Sequence, residues 1–581
     1  MNYRPEIDGL RAIAVLPVIL YHGKFSFFQG GFVGVDIFFV ISGFLITRII
    51  LSEIFQSSFS IVNFYERRAR RILPALFAVL IFSTFFAWQL LPPNEFKDFG
   101  QSLMFTSAFS SNILFWLESG YFNIGTDLKP LIHTWSLGIE EQFYILFPLF
   151  TILIYAISKR FIFPFIFLIF FISLYLAQIY SAPDIDATVR EAAFFLLPTR
   201  AWELLLGSIL FLTQNNSSIT SKKMLNNLIS LVGLLLICYS IIFFSEATPF
   251  PSLYALIPTV GAALVITFGI KGTVAYRLLT IKPMIFIGLI SYSAYLWHQP
   301  LLALSRYYFI GELSSIYVLF MVLVTLLLAY LSWRFIEQPF RDKKKLSRIN
   351  IFVISAIGSL IFGSIGLCIH LNDGFKNRYN DDQKTLLDFR QYKERAELYR
   401  NRVCFLRDEQ DYKSFADICK TGPIYIWGDS HAAGISYGMR TLQDITQLTS
   451  SGCPPILDFK VYGKPYCNST NEYIFNSIGQ IKPKIVFLSA NWVTGLYKRS
   501  DKFMVNTFDR LSNEYPSVKF YVLGGLPHWF PSLPNTMLKA DQFLDGQETY
   551  LENQLFSKIQ NKDRALNDII IGLNKKNLQF I

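Results

Sequence analysis

A chain of 581 residues that is 52% hydrophobic is too long and too apolar to be one soluble domain. Its net charge of +11 does not mark a nucleic-acid binder, because the cations fall in short runs between apolar blocks, as the positive-inside rule has it. The six cysteines show no Cys-x-x-Cys or Cys/His spacing, so no metal is expected.

Crossing a bilayer takes about 20 mostly apolar residues, and eleven stretches qualify, centred near residues 18, 42, 82, 148, 170, 203, 236, 261, 293, 325 and 360. The first, Asp8 to His22, carries an arginine near one end and a histidine well inside. A helix turns about 100° and rises about 1.5 Å per residue, so the step from Arg11 to His22 returns to nearly the same face about 16 Å further on. An ionisable side chain inside a membrane helix is expensive and by default marks a site or a pathway. The plain alternative is an interfacial arginine and a histidine satisfied between helices.

Arg67, Arg68, Arg70 and Arg71 lie between the second and third stretches. Lys159-Arg160, Lys222-Lys223, Lys271 with Arg277 and Lys282, and Arg341 to Arg348 follow at every second loop. This alternation places the N-terminus and the basic loops in the cytoplasm, and the odd number of spans places everything after residue 371 outside. Within the long connection before the fourth stretch, Phe99 to Trp116 is apolar but broken by Ser and Asn, and reads as an interfacial or re-entrant helix. The chain divides into a membrane domain over 1–340, a basic loop and further span over 341–371, a linker or extension over 372–422 with a helical pattern around Asp388–Tyr399, and an exported domain over 423–581.

By this topology His22, His298, the one-turn pair Arg200 and Glu203, and Glu140 and Glu141 beside His133 and Trp135 fall in the outer halves of their spans. As a set they predict a wet cavity open to the outside. Arg200 and Glu203 can also satisfy each other at i,i+3, and Trp135 suits an interfacial aromatic belt. On the cytoplasmic face, Arg67/Arg70 and Arg68/Arg71 suit phosphate, since a planar guanidinium donates bidentate, charge-assisted hydrogen bonds. The alternative is that they only obey the charge rule. A hydroxyl is a weak nucleophile and a histidine near neutral pKa is its usual general base. His22 is placed to act as such a base, with Glu140 or Glu141 orienting it.

Four runs taken together resemble the membrane acyltransferase-3 family. They are Asp8-Gly9-Leu10-Arg11 with His22 after ten further residues, Gly30-Gly31-Phe32-Val33-Gly34-Val35-Asp36 through Ile46, Phe64-Tyr65-Glu66-Arg67-Arg68-Ala69-Arg70-Arg71 through Ala75, and His133-Thr134-Trp135-Ser136-Leu137 leading into Glu140-Glu141-Gln142-Phe143. The resemblance implies a polytopic α-helical membrane domain that transfers acyl groups, usually acetyl, onto carbohydrate, with His22 deprotonating the sugar hydroxyl or briefly carrying the acyl group and with His133, Trp135, Arg200, Glu203 and His298 on the acceptor side. It implies acetyl-CoA as the cytoplasmic donor, with its phosphates on Arg67, Arg68, Arg70 and Arg71 and with Arg11 helping to hold it.

In the exported part, Ile424–Trp427, Ile485–Leu488 and Phe520–Leu523 read as buried parallel strands with helices between them, an α/β arrangement of three layers. Pro423-Ile424-Tyr425-Ile426-Trp427-Gly428-Asp429-Ser430-His431-Ala432 is a strand, then Gly-Asp-Ser, then a helix start. It resembles the first block of SGNH-type hydrolases and transferases, which implies Ser430 as nucleophile, Gly452 and Asn491 as oxyanion groups, and a helix N-terminus aiding them. The family's closing Asp-x-x-His has no match: His431 follows the serine directly and His528 sits elsewhere. A serine without its base is poorly activated. The sequence stops just as Leu578–Ile581 begins to read as a strand, so this SGNH-like domain is expected to be incomplete at its C-terminus, inactive, or limited to binding acceptor. Cys404, Cys419, Cys453 and Cys467 are expected to form two disulfides in one of three pairings.

The resulting expectation is a multi-pass O-acyltransferase of the bacterial inner (plasma) membrane, taking acetyl from acetyl-CoA to hydroxyls of a cell-surface glycan, lipid-linked forms included. By analogy of layout, lipopolysaccharide O-antigen is favoured over peptidoglycan. The rival readings are a proton-coupled transporter, against which no inverted repeat or paired broken helices are found, and a sugar-ester hydrolase.

Overall fold

The computed structural model describes residues 3–118, 125–182, 185, 187–214, 223–245, 248–309, 313–388, 395–461, 464–492, 500–526, 532–543 and 563–581. The chain forms two compact units, residues 1–182 with 187–378 and residues 183–186 with 379–581.

Helices occupy all eleven expected positions of the first unit. They are Pro5–His22, Gly34–Phe55, Ile61–Leu90, Thr134–Ile157, Ile162–Tyr180, Leu197–Gln214, Lys223–Phe243, Leu256–Phe268, Lys282–Tyr308, Ser315–Ser332 and Arg348–Leu371, numbered here as spans 1 to 11. Eight of them are long and apolar enough to cross a membrane; spans 1, 8 and 9 are not. Span 8 is only 13 residues long. Span 1 holds Glu6, Asp8 and Arg11, and span 9 holds His298, Gln299 and Arg306, all buried or partly buried.

These two polar helices pack against each other in the interior. A Cβ on Gly288 would lie 1.8 Å from the carbonyl oxygen of Asp8, so glycine there is what lets the two backbones meet. Around them the outer helices turn Phe and Leu outward; Phe167 and Phe171 of span 5 and Leu360 of span 11 are exposed. Hydrocarbon outside and polar groups satisfied inside is the arrangement a bilayer requires.

Two local expectations change. Phe99–Trp116 is not one interfacial helix. It is split between Pro93–Ser107 and Ser111–Leu117, with a break where Phe109 takes φ +53°, and Phe96, Phe99 and Leu103 are buried. The helix expected near Asp388–Tyr399 lies earlier, at Asp381–Asp388, followed by a short turn at Arg395–Leu398; residues 389–394 lie outside the described residues.

The second unit is built on a six-stranded, all-parallel sheet. Its strands are β1 (Phe405–Leu406), β2 (Ile424–Gly428), β3 (Ile445–Ser450), β4 (Ile485–Ser489), β5 (Lys519–Val522) and β6 (Leu578–Phe580), in the order β1-β3-β2-β4-β5-β6. Both faces are covered. Tyr425, Trp427, Val486 and Leu488 enter one apolar core with Ile474 and Phe508 from the helices Cys467–Ile481 and Asp501–Glu514. Ile424, Ile426 and Phe487 enter the other core with Ala432 and Ile435 of the helix Ser430–Arg440. Period-two alternation thus yields the three layers.

Strand β1 and the disulfide Cys404–Cys419 fall inside the stretch read above as a linker; the second disulfide is Cys453–Cys467. Strand β3 has no apolar run, yet five of its six residues are buried. Its Gln447 donates to the Tyr399 carbonyl (2.9 Å) and its Thr449 hydroxyl to the Cys404 carbonyl (2.9 Å), which makes the burial tolerable.

Candidate active site

Three spans deliver a histidine to one place. His22 closes span 1, His133 caps the start of span 4, and His298 lies in span 9. The rings of His22 and His298 are 5.1 Å apart between centroids, and those of His133 and His298 are 5.4 Å apart. His22 Nδ1 is 2.9 Å from the Val18 carbonyl oxygen. A carbonyl only accepts, so Nδ1 carries the proton and Nε2 presents a lone pair. The same reasoning applies to His298, whose Nδ1 lies 2.5 Å from the Tyr295 carbonyl. Its Nε2, and both nitrogens of His133, have no hydrogen-bond partner among the described residues. Buried polar atoms left open are rare enough to need a reason, and a bound substrate is one.

Arg306 fixes this end of span 1. Its Nη2 donates to the His22 carbonyl (2.5 Å) and its Nη1 to the Asp127 carbonyl (2.9 Å), while the Asp127 carboxylate pairs with Lys24 at 2.7 Å.

Towards the other end of the bundle, a cavity of about 310 Å³ is lined by Arg11, Arg48, Arg68 and Arg71, with Glu140 and Ser42 on its wall. Arg11 is paired with Asp8 at 3.2 Å. Arg68 lies over the rings of Phe64 and Tyr144, 5.9 and 5.7 Å from their centroids. Glu140 accepts from Ser42 (2.6 Å) and from Tyr144 (3.2 Å). Four cations on three helices, Arg11 of span 1, Arg48 of span 2, and Arg68 and Arg71 of span 3, therefore face a space whose wall is otherwise largely apolar, a setting for an anion with an apolar tail.

This placement revises several expectations. Glu140 lies on the arginine cavity, away from the histidines, and so does not orient His22; the Val18 carbonyl does that. Glu141, buried one position on, is not among the cavity's lining residues. The four clustered arginines also divide. Arg68 and Arg71 line the cavity, whereas Arg67 pairs with Glu53 at 3.0 Å. Arg70 is buried against Glu66 (2.9 Å) and the carbonyls of Phe340 and Leu346. On a helix, positions 67 and 70 share one face and 68 and 71 the next, so adjacent R-x-x-R pairs diverge.

Arg200 and Glu203 do not face an acceptor cavity. Both are fully buried with Asp36 of span 2, Arg200 lying 2.8 Å from Asp36 and 3.2 Å from Glu203. The guanidinium sits over Trp135, Phe39, Phe194 and Phe250, each within 5.6 Å. Trp135 is therefore core, not belt. Asp36, Arg48, Tyr295 and Arg306 are the residues sequence reasoning passed over. The first two announced themselves as charges inside an otherwise apolar stretch.

In the second unit, Ser430, Gly452 and Asn491 all follow the C-terminal ends of neighbouring strands, since Gly428 of β2 registers with Thr449 of β3 and with Ser489 of β4. That edge is where ligands bind to parallel α/β sheets. Asp429 caps the helix that Ser430 opens. One carboxylate oxygen accepts from the His431 amide and the other from the Asn491 amide, both at 2.8 Å. Gly452 takes φ +58°, which turns the chain sharply after β3. His528 lies outside the described residues.

A polar, two-ended helical bundle joined to a doubly covered parallel sheet defines a membrane protein with an SGNH-type α/β domain. Residues 4–334 match the acyltransferase domain model Acyl_transf_3, and residues 402–581 match the SGNH domain that occurs fused to such domains. The first match covers more than half of the chain, which belongs to the acyltransferase-3 family.

Among curated relatives, O-acetyltransferase OatA of Staphylococcus aureus (strain NCTC 8325) is 33% identical over 359 residues, 59% of this chain and 58% of that protein. The putative O-acetyltransferase SAS0844 of Staphylococcus aureus (strain MSSA476) is 34% identical over 361 residues, 60% of this chain and 59% of that one. The chain thus spans under three fifths of the length of these relatives. A solved structure, the periplasmic domain of a Salmonella ser. Paratyphi A lipopolysaccharide acetyltransferase, aligns with 33% of this chain and 77% of its own at 19% identity and a TM-score of 0.27.

Proposed function

We propose that the protein is an O-acyltransferase that takes acetyl from cytoplasmic acetyl-CoA and delivers it to a hydroxyl of a cell-surface glycan. The observation that carries this reading is that spans 1 and 9 bring together His22 and His298 at one end of the bundle, while Arg11 of span 1 lines a cation-walled cavity towards the other. At about 310 Å³ the cavity is at the small end for ligand sites, enough for an acyl-pantetheine arm but not for the whole nucleotide. The arm lies in the cavity with its phosphates towards Arg68 and Arg71.

At the histidine end, Nε2 of His22 takes the proton of the sugar hydroxyl as its oxygen attacks the thioester carbonyl carbon. The bond from carbon to sulfur breaks, and CoA leaves as the thiolate. The orientation follows the basic loops: arginine end in the cytoplasm, histidine end and second unit outside. In the second unit, Ser430, Gly452 and Asn491 handle the acceptor at the strand ends.

The test is acetyl content, by NMR, of lipopolysaccharide O-antigen and of peptidoglycan from a null strain complemented with wild type, His22→Ala or Ser430→Ala. The fraction that loses acetyl in the null strain names the acceptor, with O-antigen the favoured one. His22→Ala is expected not to restore it, and restoration to the wild-type level sinks the reading. Loss in Ser430→Ala as well places a second transfer in the exported unit.

A further inference from the structure

None of the three histidines lines the arginine cavity, whose wall at the histidine end is made by Ser136, Tyr295 and Leu296. Tyr295 stands between the two compartments and touches both. Its hydroxyl is 2.7 Å from Ser136 Oγ and donates to the His133 carbonyl at 2.9 Å. Its ring lies 5.5 Å from the His133 ring and 5.3 Å from that of His298, and on the cavity side it meets Phe38 at 6.4 Å. One side chain from span 9 is thus latched to span 4 between the arginine cavity and the histidine rings. Pro300 lies inside span 9 one turn beyond Leu296. It lacks the N–H that would hold the Leu296 carbonyl, which leaves a point where the helix bends at low cost.

We propose that Tyr295, latched by Ser136, is the partition between the donor cavity and the histidine cluster, and that it directs the acyl group to the sugar hydroxyl and away from water. This rests on the transferase reading above. With the partition closed, water from the histidine end does not reach the thioester. When the partition yields to a seated acceptor, the sugar oxygen bonds to the acyl carbon, the carbon–sulfur bond breaks, and the hydroxyl proton goes to His22. With the partition absent, a water oxygen makes that bond instead, and the products are acetate and CoA. Tyr295 is a positioning residue in this scheme, not a proton carrier.

The test needs no donor, so it stands apart from the transferase reading. In the full chain with Cys238→Ser and Cys368→Ser, Leu45→Cys puts the one free thiol on the cavity wall, beyond Phe38 from the histidines. A membrane-impermeant maleimide is applied to right-side-out and to inside-out vesicles. With Tyr295 in place, labelling is expected from one face only. Tyr295→Ala is expected to expose the same thiol from both faces. Tyr295→Phe, which keeps the ring and deletes the latch, is expected to give slower labelling from the second face.

Labelling that persists from the original face shows that the alanine variant has folded. Labelling from both faces with Tyr295 present, or from one face after Tyr295→Ala, overturns the proposal. If the single labelled face is the outer one and Tyr295→Ala opens the other, the partition stands and the assigned orientation falls. CoA release without acceptor, raised in Tyr295→Ala, then reports whether the partition serves acyl transfer.

Discussion

The two units hold their polar groups by different means. In the helical bundle, local pairs such as Arg11 with Asp8 are completed by partners from far apart in the chain: Arg200 with Asp36, Ser42 with Glu140, Arg70 with the Phe340 carbonyl. In the parallel sheet they come from the strand ends, where Asp429 gathers the amides of His431, two residues on, and of Asn491, just beyond the adjoining strand. Strand register converts a short motif into a geometry, because every β2 residue has a fixed neighbour on β3 and β4. A helix face does not, because which helix it meets is set by packing of the whole bundle. The bundle is therefore expected to be the more fragile unit to loss of a buried charge, and the sheet to loss of a covalent staple.

The largest expected effect is chemical. His22→Ala removes the proposed general base and is expected to lower acetyl transfer in membrane vesicles by about 10²- to 10⁴-fold, with the protein still folded. A loss within twofold would mean that the histidine cluster is structural and would erase the functional side of the contrast.

Next is the charge core. Arg200→Ala leaves Asp36 and Glu203 buried without their counter-ion, at a cost of about 3–5 kcal/mol, read as loss of monodisperse folded protein in detergent. The matched control is Arg510→Ala in the second unit, whose pair with Glu514 at 2.9 Å is nearly half exposed and is worth about 0–1 kcal/mol. Equal effects would break the comparison.

The covalent side is tested by replacing Cys453 and Cys467 together with serine. Their bridge closes a separation of 14 residues, and releasing a loop of that size costs about 3 kcal/mol. A lowered melting transition of the second unit is expected, with the transition of the bundle unchanged.

Much of this was legible beforehand, and the pattern of misses follows the same contrast. The eleven helix positions came from apolarity alone, and β2, β4, β5 and β6 from short apolar runs. Strand β3 was invisible because Thr446, Gln447 and Thr449 are polar, and what makes their burial affordable is a set of partners no local window contains. In the site, His22 and His133 stand in motifs and His298 is marked by its place late in the ninth apolar stretch. That they meet was not readable, since nothing local fixes the rotation of span 4 against span 9. For the same reason Glu140 was assigned to the wrong neighbour, and Asp36, the partner of Arg200 from 164 residues away, was overlooked.

The smallest effect sharpens the comparison most, because it separates four like residues within one helical turn and a half. Arg71 lines the cavity and makes no ion pair among the described residues. If it holds a donor phosphate, Arg71→Ala removes a charge-assisted hydrogen bond of about 1.5–3 kcal/mol. That raises KM for acetyl-CoA about 10- to 100-fold with kcat little changed, since the bond is made equally to bound donor and transition state. Arg67→Ala breaks only the partly exposed pair with Glu53 and is expected to leave KM within twofold. Arg70→Ala strands the buried Glu66 beside Arg348 alone, so its cost is expected in folded yield rather than in KM. A motif scored only by composition predicts equal effects at all three positions; the observed faces predict a donor-binding defect, no defect and a folding defect. Equal KM shifts at Arg67 and Arg71 would return the cluster to a simple basic loop and remove the cavity from the donor's path.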